Sequence, residues 1–238
     1  VSLEYLGTEA VSRRDIPIVG DEALFLPKCS DSEVVANLRK SGVSSIEKYL
    51  IFHYRRASYV ENTNESEERL AQVADRLAED YPVVFLPMSY GSHSGKDQQV
   101  GKAIAAKMKN HKRFHVLGEI HDPMLARGMV EMASGAVGLS YHVQVFALGA
   151  AVPLLGLSEG SYYAVKGKGM RQLTEGKVDF LELGSMSAGQ IKAIVERWLE
   201  RFSQQREDFM VLRNRLREVN HLPVDSLVQA INKRTGNG

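Results

Sequence analysis

The sequence predicts an α/β protein, with a doubly wound, mostly parallel sheet followed by C-terminal helices. From about residue 45 onward, six short apolar runs alternate with stretches of helical periodicity. Each run is five to seven residues long and rich in β-branched, aromatic or aliphatic residues, as in strands that helices cover on both faces. Chain order supports the same fold, because strand–helix–strand units with right-handed crossovers build a parallel sheet.

The predicted strands follow one another at regular intervals along the chain. They are YLIFHYR (49–55), PVVFLPM (82–88), RFHVLG (113–118), AVGLS (136–140), VPLLGL (152–157) and KVDFLEL (177–183). Helical patterns separate or follow them at 64–81, 97–110, 122–134, 142–151 and 161–173. The first pattern is the clearest, because Leu70, Val73 and Leu77 fall on one face with charged residues opposite. Gly167 and Gly169 weaken the last pattern, since glycine is a poor helix former.

The C-terminal part of the chain predicts a long helix. Ser187 and Gln190 form a capping-box pattern. Apolar residues then recur at spacings of three and four, interrupted only at Gln205. This stripe can pack along its own domain or form a coiled-coil-like seam in a homo-oligomer. We expect packing within the chain, with a bend near Arg206 and Asp208.

These patterns divide the chain into three segments. Residues 1–30 match the sheet pattern poorly, and we expect them to lead in from an N-terminal half that precedes this chain. Residues 31–186 form the predicted Rossmann-like domain. Residues 187–238 contain the C-terminal helices and end in the tail NKRTGNG (232–238), which we expect to be disordered.

Composition narrows the classes of function. The 30 Lys and Arg residues balance 29 Asp and Glu residues, so the net charge predicts no nucleic-acid partner. The single cysteine, Cys29, excludes an internal disulfide and a cysteine-based metal cluster. No apolar run approaches the roughly 20 residues that span a bilayer. We therefore expect a cytoplasmic protein with no transmembrane segment, no metal and no cofactor.

Polar residues gather in the loops that follow the predicted strands. Parallel α/β sheets bind ligands beyond the carboxyl ends of their strands. The candidate loops are 53–56, 89–96, 119–122, 140–142 and 158–163. Arg55 and Arg56 are adjacent in an extended segment and point to opposite faces, so we expect at most one to enter the site. His142 begins an apolar helix, where it is either functional or a buried structural histidine.

Several of these segments together resemble the polysaccharide pyruvyl transferase family. AVGLSYHVQVFALGAAVPLLGLSEGSYYAVKGKGM (136–170) is similar to the family's C-terminal half, with Tyr141-His142, Val152-Pro153 and Tyr162-Tyr163-Ala164-Val165-Lys166 as the matching elements. Upstream, GDEALFLP (20–27), IFHYRR (51–56) and VVFLPMSYGSHSGKD (83–97) resemble further family elements in the same order. The resemblance covers about residues 15–175. It implies one Rossmann-like half of a GT-B-like fold.

The resemblance implies transfer of a pyruvyl group from phosphoenolpyruvate to a sugar of a cell-surface polysaccharide. In this interpretation His142 is the acid/base catalyst, because ketal formation protonates a methylene and deprotonates a hydroxyl. Arg55 or Arg56, together with Lys166, would bind the carboxylate and phosphate of the donor. Ser89, Tyr141, Tyr162 and Tyr163 complete the predicted substrate-binding set. One departure matters: Ser140 stands where the family has an arginine, which removes an anion-binding group.

Two other interpretations stay open. A GT-B-type sugar-nucleotide glycosyltransferase or epimerase also carries such a domain, and Glu159 is then the candidate carboxylate for the ribose. A non-catalytic relative that kept the fold is the third interpretation, which the loss of the arginine at Ser140 favours modestly.

Overall fold

The computed structural model describes residues 21–43, 48–56, 63–90 and 97–235, with side chains described up to residue 218. Within these ranges six strands form one sheet. They are β1 (Leu50–His53), β2 (Val83–Phe85), β3 (Phe114–Val116), β4 (Gly135–Gly138), β5 (Leu154–Ser158) and β6 (Asp179–Glu182). All six strands predicted from the sequence are present, each shorter than its predicted range or shifted by one residue.

The described ranges contain eight α-helices, of which the first precedes β1 and the others lie between or after the strands. They are α1 (Asp31–Lys40), α2 (Thr63–Asp80), α3 (Asp97–Lys107), α4 (Pro123–Glu131), α5 (Tyr141–Ala150), α6 (Gly160–Leu173), α7 (Ala188–Glu200) and α8 (Phe202–Thr235). Short 3-10 helices cover Glu22–Phe25 and His111–Arg113. None of the described helices is both long and apolar enough to cross a membrane.

The sheet is doubly wound and parallel throughout. Its strand order is β3-β2-β1-β4-β5-β6, and every neighbouring pair runs parallel. The order reverses between β1 and β4, where Leu50 pairs with Gly135 and His53 with Gly138. This arrangement is the dinucleotide-binding order of Rossmann-like domains, and its ligands bind beyond the carboxyl ends of the strands at the reversal.

Two hydrophobic cores sandwich the sheet. On one face, side chains of α1, α4, α5 and α8 pack together, including Leu38, Val130 and Phe146. On the other face, α2, α3 and α7 cover the sheet, and Leu77 and Trp198 are fully buried there. All four residues of β1 are buried, which explains why this strand reads as a continuous apolar run rather than an alternating one.

The C-terminal helices pack along their own domain, as expected. Ser187 and Gln190 form the predicted capping box at the start of α7. The bend lies at Arg201, between α7 and α8, and not near Arg206 and Asp208 as the sequence suggested. The tail prediction was also wrong in part, because α8 continues to Thr235; residues 236–238 lie outside the described range.

Residues 21–40 form local structure that the sequence patterns did not reveal. Asp21 accepts a hydrogen bond from Ala23 N (2.9 Å) and starts the 3-10 helix, which packs against α5. Ser30 and Glu33 then cap α1. Only two residues of α1 are buried, Val34 and Leu38, so its periodicity is too sparse to stand out from sequence alone.

Candidate functional site

The candidate site lies at the carboxyl ends of β1, β4 and β5, beside the reversal of strand order. His53 is the last residue of β1, and Ser140 lies two residues beyond the end of β4. Helices α5 and α6 begin directly after β4 and β5. This edge is where a Rossmann-like sheet leaves a crevice for a ligand.

A buried histidine joins three of the elements at this edge. His53 is fully buried, and its Nδ1 accepts a hydrogen bond of 3.1 Å from the backbone N–H of Ser140. Its Nε2 lies 3.3 Å from Oδ2 of Asp97, the first residue of α3. Burial lowers the pKa of His53, although the hydrogen bond to Asp97 acts in the opposite direction. The imidazole is therefore held neutral.

Asp97 is the centre of this network. Its carboxylate also accepts hydrogen bonds from Met88 N at 2.9 Å and from Nε of Arg55 at 3.2 Å. Burial alone would raise the pKa of Asp97, but the hydrogen bonds from His53 and Met88 and the charge of Arg55 lower it below its usual value. Arg55 is thus held by a carboxylate while its side chain stays 28% exposed.

A second group of polar side chains includes the residues that directly follow β1 and β5. Glu159 is buried and accepts hydrogen bonds from the hydroxyl groups of Tyr54 and Ser66. Burial raises the pKa of Tyr54, and the adjacent Glu159 carboxylate raises it further, so the phenol stays protonated. Arg56 pairs with the buried carboxylate of Glu67 on α2. Both arginines that the sequence singled out therefore contact carboxylates of their own chain.

A third group is formed by the first turn of α5 and the first two turns of α6. The ammonium group of Lys166 lies 5.2 Å from the ring centre of Tyr141 and 5.8 Å from that of Tyr162. His142 is exposed and its ring contacts that of Tyr141, with centres 6.1 Å apart. Tyr162 also meets the ring of buried Tyr163 edge-on at 5.2 Å.

The structure thus brings five predicted residues together and separates the others from them. The group formed by Tyr141, His142, Tyr162, Tyr163 and Lys166 is called the α5–α6 cluster below. The contacts of Arg55 and Arg56 lie on the β1 side, with α3 and α2. Ser89 is half-buried, and its carbonyl accepts a hydrogen bond from Asp97 N at 3.4 Å. The rest of the predicted loop, 91–96, lies outside the described residues.

The electrostatics of the α5–α6 cluster suit an anion. Neither Ser140, which precedes α5, nor Glu159, which precedes α6, caps its helix with a side-chain hydrogen bond. The first N–H groups of both helices therefore have no such partner, and each helix adds a partial positive charge. Lys166 contributes a full positive charge beside them.

The sequence placed His53 and Tyr54 in the candidate loop 53–56, but it assigned no role to either residue and did not pair His53 with Asp97. The available signal was a histidine within the apolar run YLIFHYR, because a polar residue in a buried strand needs a partner. Its partner Asp97 lies 44 residues further along the chain. No local pattern connects the two residues.

Comparison with solved structures identifies proteins with a similar fold. No family model matches the chain, and no curated protein matches it. The E. coli ADP-heptose LPS heptosyltransferase II is similar with a TM-score of 0.52 and 17% identity, over 76% of this chain and 54% of that protein. A putative UDP-N-acetylglucosamine 2-epimerase from Listeria monocytogenes has a TM-score of 0.52 and 15% identity, over 85% and 50%.

A third similar structure is the alpha,alpha-trehalose 6-phosphate synthase from Burkholderia multivorans, with a TM-score of 0.51 and 12% identity, over 87% of this chain and 49% of that protein. The chain spans about half the length of all three proteins. These similarities establish the fold: an α/β domain that matches one Rossmann-like half of the GT-B architecture.

Proposed function

We propose that this chain is the donor-binding half of a GT-B-type transferase that uses a sugar nucleotide. The observation that carries the proposal is the α5–α6 cluster, in which a lysine and two helix N-termini meet at the edge of a GT-B-like domain. Two of the similar structures are named for sugar-nucleotide substrates, ADP-heptose and UDP-N-acetylglucosamine. A nucleoside diphosphate is the chemical group that these donors share.

The charges of the cluster suit a diphosphate. Backbone N–H groups at helix N-termini bind phosphate oxygens, and Lys166 adds a mobile ammonium donor. Separation of a nucleoside diphosphate from its sugar builds negative charge on the leaving phosphate, which these groups would stabilise.

Aromatic surface beside the cations supports the same proposal. Tyr162 is 54% exposed although it is a large aromatic residue, and Lys166 lies over its ring. An exposed phenol ring next to a phosphate-binding group offers a stacking surface for a nucleobase or a sugar ring. Glu159 is not assigned to the ribose, because its carboxylate is buried and hydrogen-bonded to Tyr54 and Ser66.

Calorimetric titration of the 238-residue chain with UDP and ADP, and then with the corresponding sugar nucleotides, tests the proposal. We expect saturable binding of at least one nucleoside diphosphate, weakened in the Lys166→Met variant. An Arg171→Met variant is the matched control, since Arg171 is a cation on the same helix that instead lies over Phe180 and near Glu182. Failure of every nucleoside diphosphate to bind would exclude the proposal.

Pyruvyl transfer from phosphoenolpyruvate is the second candidate, and a specific observation favours it. The residues that carry the sequence resemblance, Tyr141, His142, Tyr162 and Lys166, lie together in the folded chain. In this reaction two sugar hydroxyls add to the enolpyruvyl carbon. One of their protons goes to the methylene group and the other leaves with the phosphate. His142 is exposed and would be the group that moves such a proton.

Two findings weigh against this second candidate. Ser140 replaces the family arginine, and both Arg55 and Arg56 already pair with carboxylates. Titration with phosphoenolpyruvate separates the candidates, because only the pyruvyl transferase interpretation expects it to bind and to protect the fold against heat. Stabilisation by neither ligand class would favour a non-catalytic relative.

A further inference from the structure

The strongest unassigned feature is the buried link that runs from Asp97 through His53 to Ser140. It joins the first residue of α3 to the residue that precedes α5, across the reversal of strand order. The backbone supports the link, because Leu139 N also donates to the carbonyl of His53 at 3.1 Å. Tyr141 and His142 of the α5–α6 cluster follow Ser140 immediately.

The two ends of the link fix the tautomer of the histidine. The carboxylate of Asp97 only accepts hydrogen bonds, whereas the backbone N–H of Ser140 only donates. An imidazole between them must donate from Nε2 and accept at Nδ1, as the distances of 3.3 and 3.1 Å indicate. A proton on Nδ1 would face the backbone N–H of Ser140, and two donors cannot form a hydrogen bond. The imidazolium and the Nδ1–H tautomer both carry this proton, so neither can form the link.

We infer that His53 is a positioning residue, locked as the neutral Nε2–H tautomer, which holds Ser140 and thereby sets the first turn of α5 in the proposed donor site. The inference rests on the proposed function for its ligand, but not for its tautomer. Ser140 does not cap α5 with its side chain. Gln144 of α5 holds the carbonyl groups of Gly138 and Leu139, whereas the N–H of Ser140 is held by His53. Asp97 orients the ring, and the same carboxylate orients Arg55.

Two amide substitutions of His53 test its two hydrogen bonds one at a time, the bond to Ser140 and the bond to Asp97. In His53→Asn the amide oxygen takes the place of Nδ1 and can still accept from Ser140 N–H, but the donor to Asp97 is lost. In His53→Gln the amide nitrogen reaches the position of Nε2 and can still donate to Asp97, but the acceptor for Ser140 is lost. Both variants remove a buried ring, so a purely structural role predicts similar effects of the two.

The positioning role predicts a difference between the variants. We expect His53→Gln to speed hydrogen exchange at the Ser140 amide and to weaken UDP or ADP binding by about 2- to 10-fold, the effect of one lost hydrogen bond. His53→Asn should change both quantities by less than about twofold, although its stability falls as well. Equal effects of the two variants, or the reverse order, would overturn the inference.

Nitrogen-15 NMR of the unmodified chain tests the tautomer without any variant or ligand. We expect a protonated Nε2 and an unprotonated Nδ1 of His53 at about pH 6 and pH 7, where an exposed histidine is partly charged. A protonated Nδ1 at either pH would refute the inference even if the variants do not fold. If the chain binds no nucleoside diphosphate, the proposed function fails, while the NMR and exchange results still decide the role of His53.

Discussion

The side-chain oxygen of Gln205 accepts a hydrogen bond of 3.1 Å from the indole N–H of Trp198, and both residues are buried. The same oxygen accepts a bond of 2.7 Å from Leu154 N at the start of β5, and the amide nitrogen donates to Lys177 O at 2.9 Å. One glutamine thus connects α8 with α7, with β5 and with the segment before β6. This explains the single interruption in the apolar stripe of the C-terminal helices.

Replacing Gln205 by leucine should destabilise the chain by about 2–6 kcal/mol, the cost of two unsatisfied buried N–H groups. The substitution leaves the buried N–H groups of Leu154 and Trp198 and the carbonyl of Lys177 without this partner, and each unsatisfied buried group costs about 1–3 kcal/mol. Urea unfolding followed by tryptophan fluorescence measures the change. Gln204→Leu is the matched control, because Gln204 is exposed and its loss should alter stability by less than about 0.5 kcal/mol. Equal effects at the two positions would contradict the role of Gln205.

Gly149→Ala should loosen the 3-10 helix at residues 22–25. A Cβ atom at Gly149 would overlap the backbone carbonyl of Leu24, and backbone atoms cannot move aside as a flexible side chain can. We expect a loss of about 1–3 kcal/mol and faster proteolysis near Leu24.

Gly189→Ala serves as the comparison for this glycine. Gly189 lies in α7, and an added Cβ there meets no atom within 4 Å. Alanine favours the helix, so this variant should be unchanged or more stable by about 0.4–1 kcal/mol. A Gly149→Ala variant as stable as Gly189→Ala would show that Leu24 does not lie against α5.

Stability should fall as the pH drops from about 7 to 5. Burial lowers the folded-state pKa of His53 and of His115 below the ordinary value of 6.5. Below pH 6.5 the unfolded chain therefore binds protons that the folded chain does not, and the free energy of unfolding decreases. Each such group contributes at most about 1.4 kcal/mol per pH unit. The lowered pKa of Asp97 adds a further loss below its ordinary value of 3.8.

Urea titrations at several pH values, on variants that lack one histidine, measure these slopes. His53→Asn and His115→Asn should each reduce the slope between pH 7 and 5. A slope that His53→Asn does not alter would mean that the buried imidazole takes up a proton in the folded chain.

Lys166→Met should weaken binding of a nucleoside diphosphate by about 10- to 100-fold. A hydrogen bond to a charged group contributes about 1.5–3 kcal/mol, and methionine keeps the length of the side chain without its charge. Calorimetry measures the affinity, and the fold should be preserved because Lys166 is exposed. The effect should shrink as salt concentration rises, since exposed charges are screened. An unchanged affinity in Lys166→Met would remove this lysine from the site.

His142→Gln distinguishes the two candidate functions in the complete enzyme. If His142 is the acid/base of pyruvyl transfer, its loss should lower the rate by about 10²–10⁴-fold while anion affinity stays nearly constant. Its exposed position predicts little change in melting temperature. A normal rate in a folded variant would exclude His142 from the chemistry.

The strands could be predicted from sequence because their signal is local. Each strand is a short, continuous apolar run, and a parallel sheet buried on both faces requires such runs whatever its ligand. Chain order then limits the topology, since crossovers are short and right-handed. The helical pattern that follows the fourth strand also predicted His142 at the start of a helix, and His142 is the second residue of α5. The sequence patterns missed α1, because only Val34 and Leu38 of that helix are buried.

The sequence predicted candidate site residues but not the contacts that hold them in place. The rule that ligands bind beyond strand ends selected loops that follow neighbouring strands of the sheet, and the resemblance to a family grouped Tyr141, His142, Tyr162 and Lys166, which are neighbours in the structure. The partners of Arg55 and His53 were decided by the tertiary structure alone. Asp97 lies more than 40 residues away along the chain, and electrostatic and hydrogen-bond partners at such separations leave no periodic trace in the sequence. Periodicity reports which side of an element is buried, whereas a charge pair is settled only when the sheet brings the ends of different strands together.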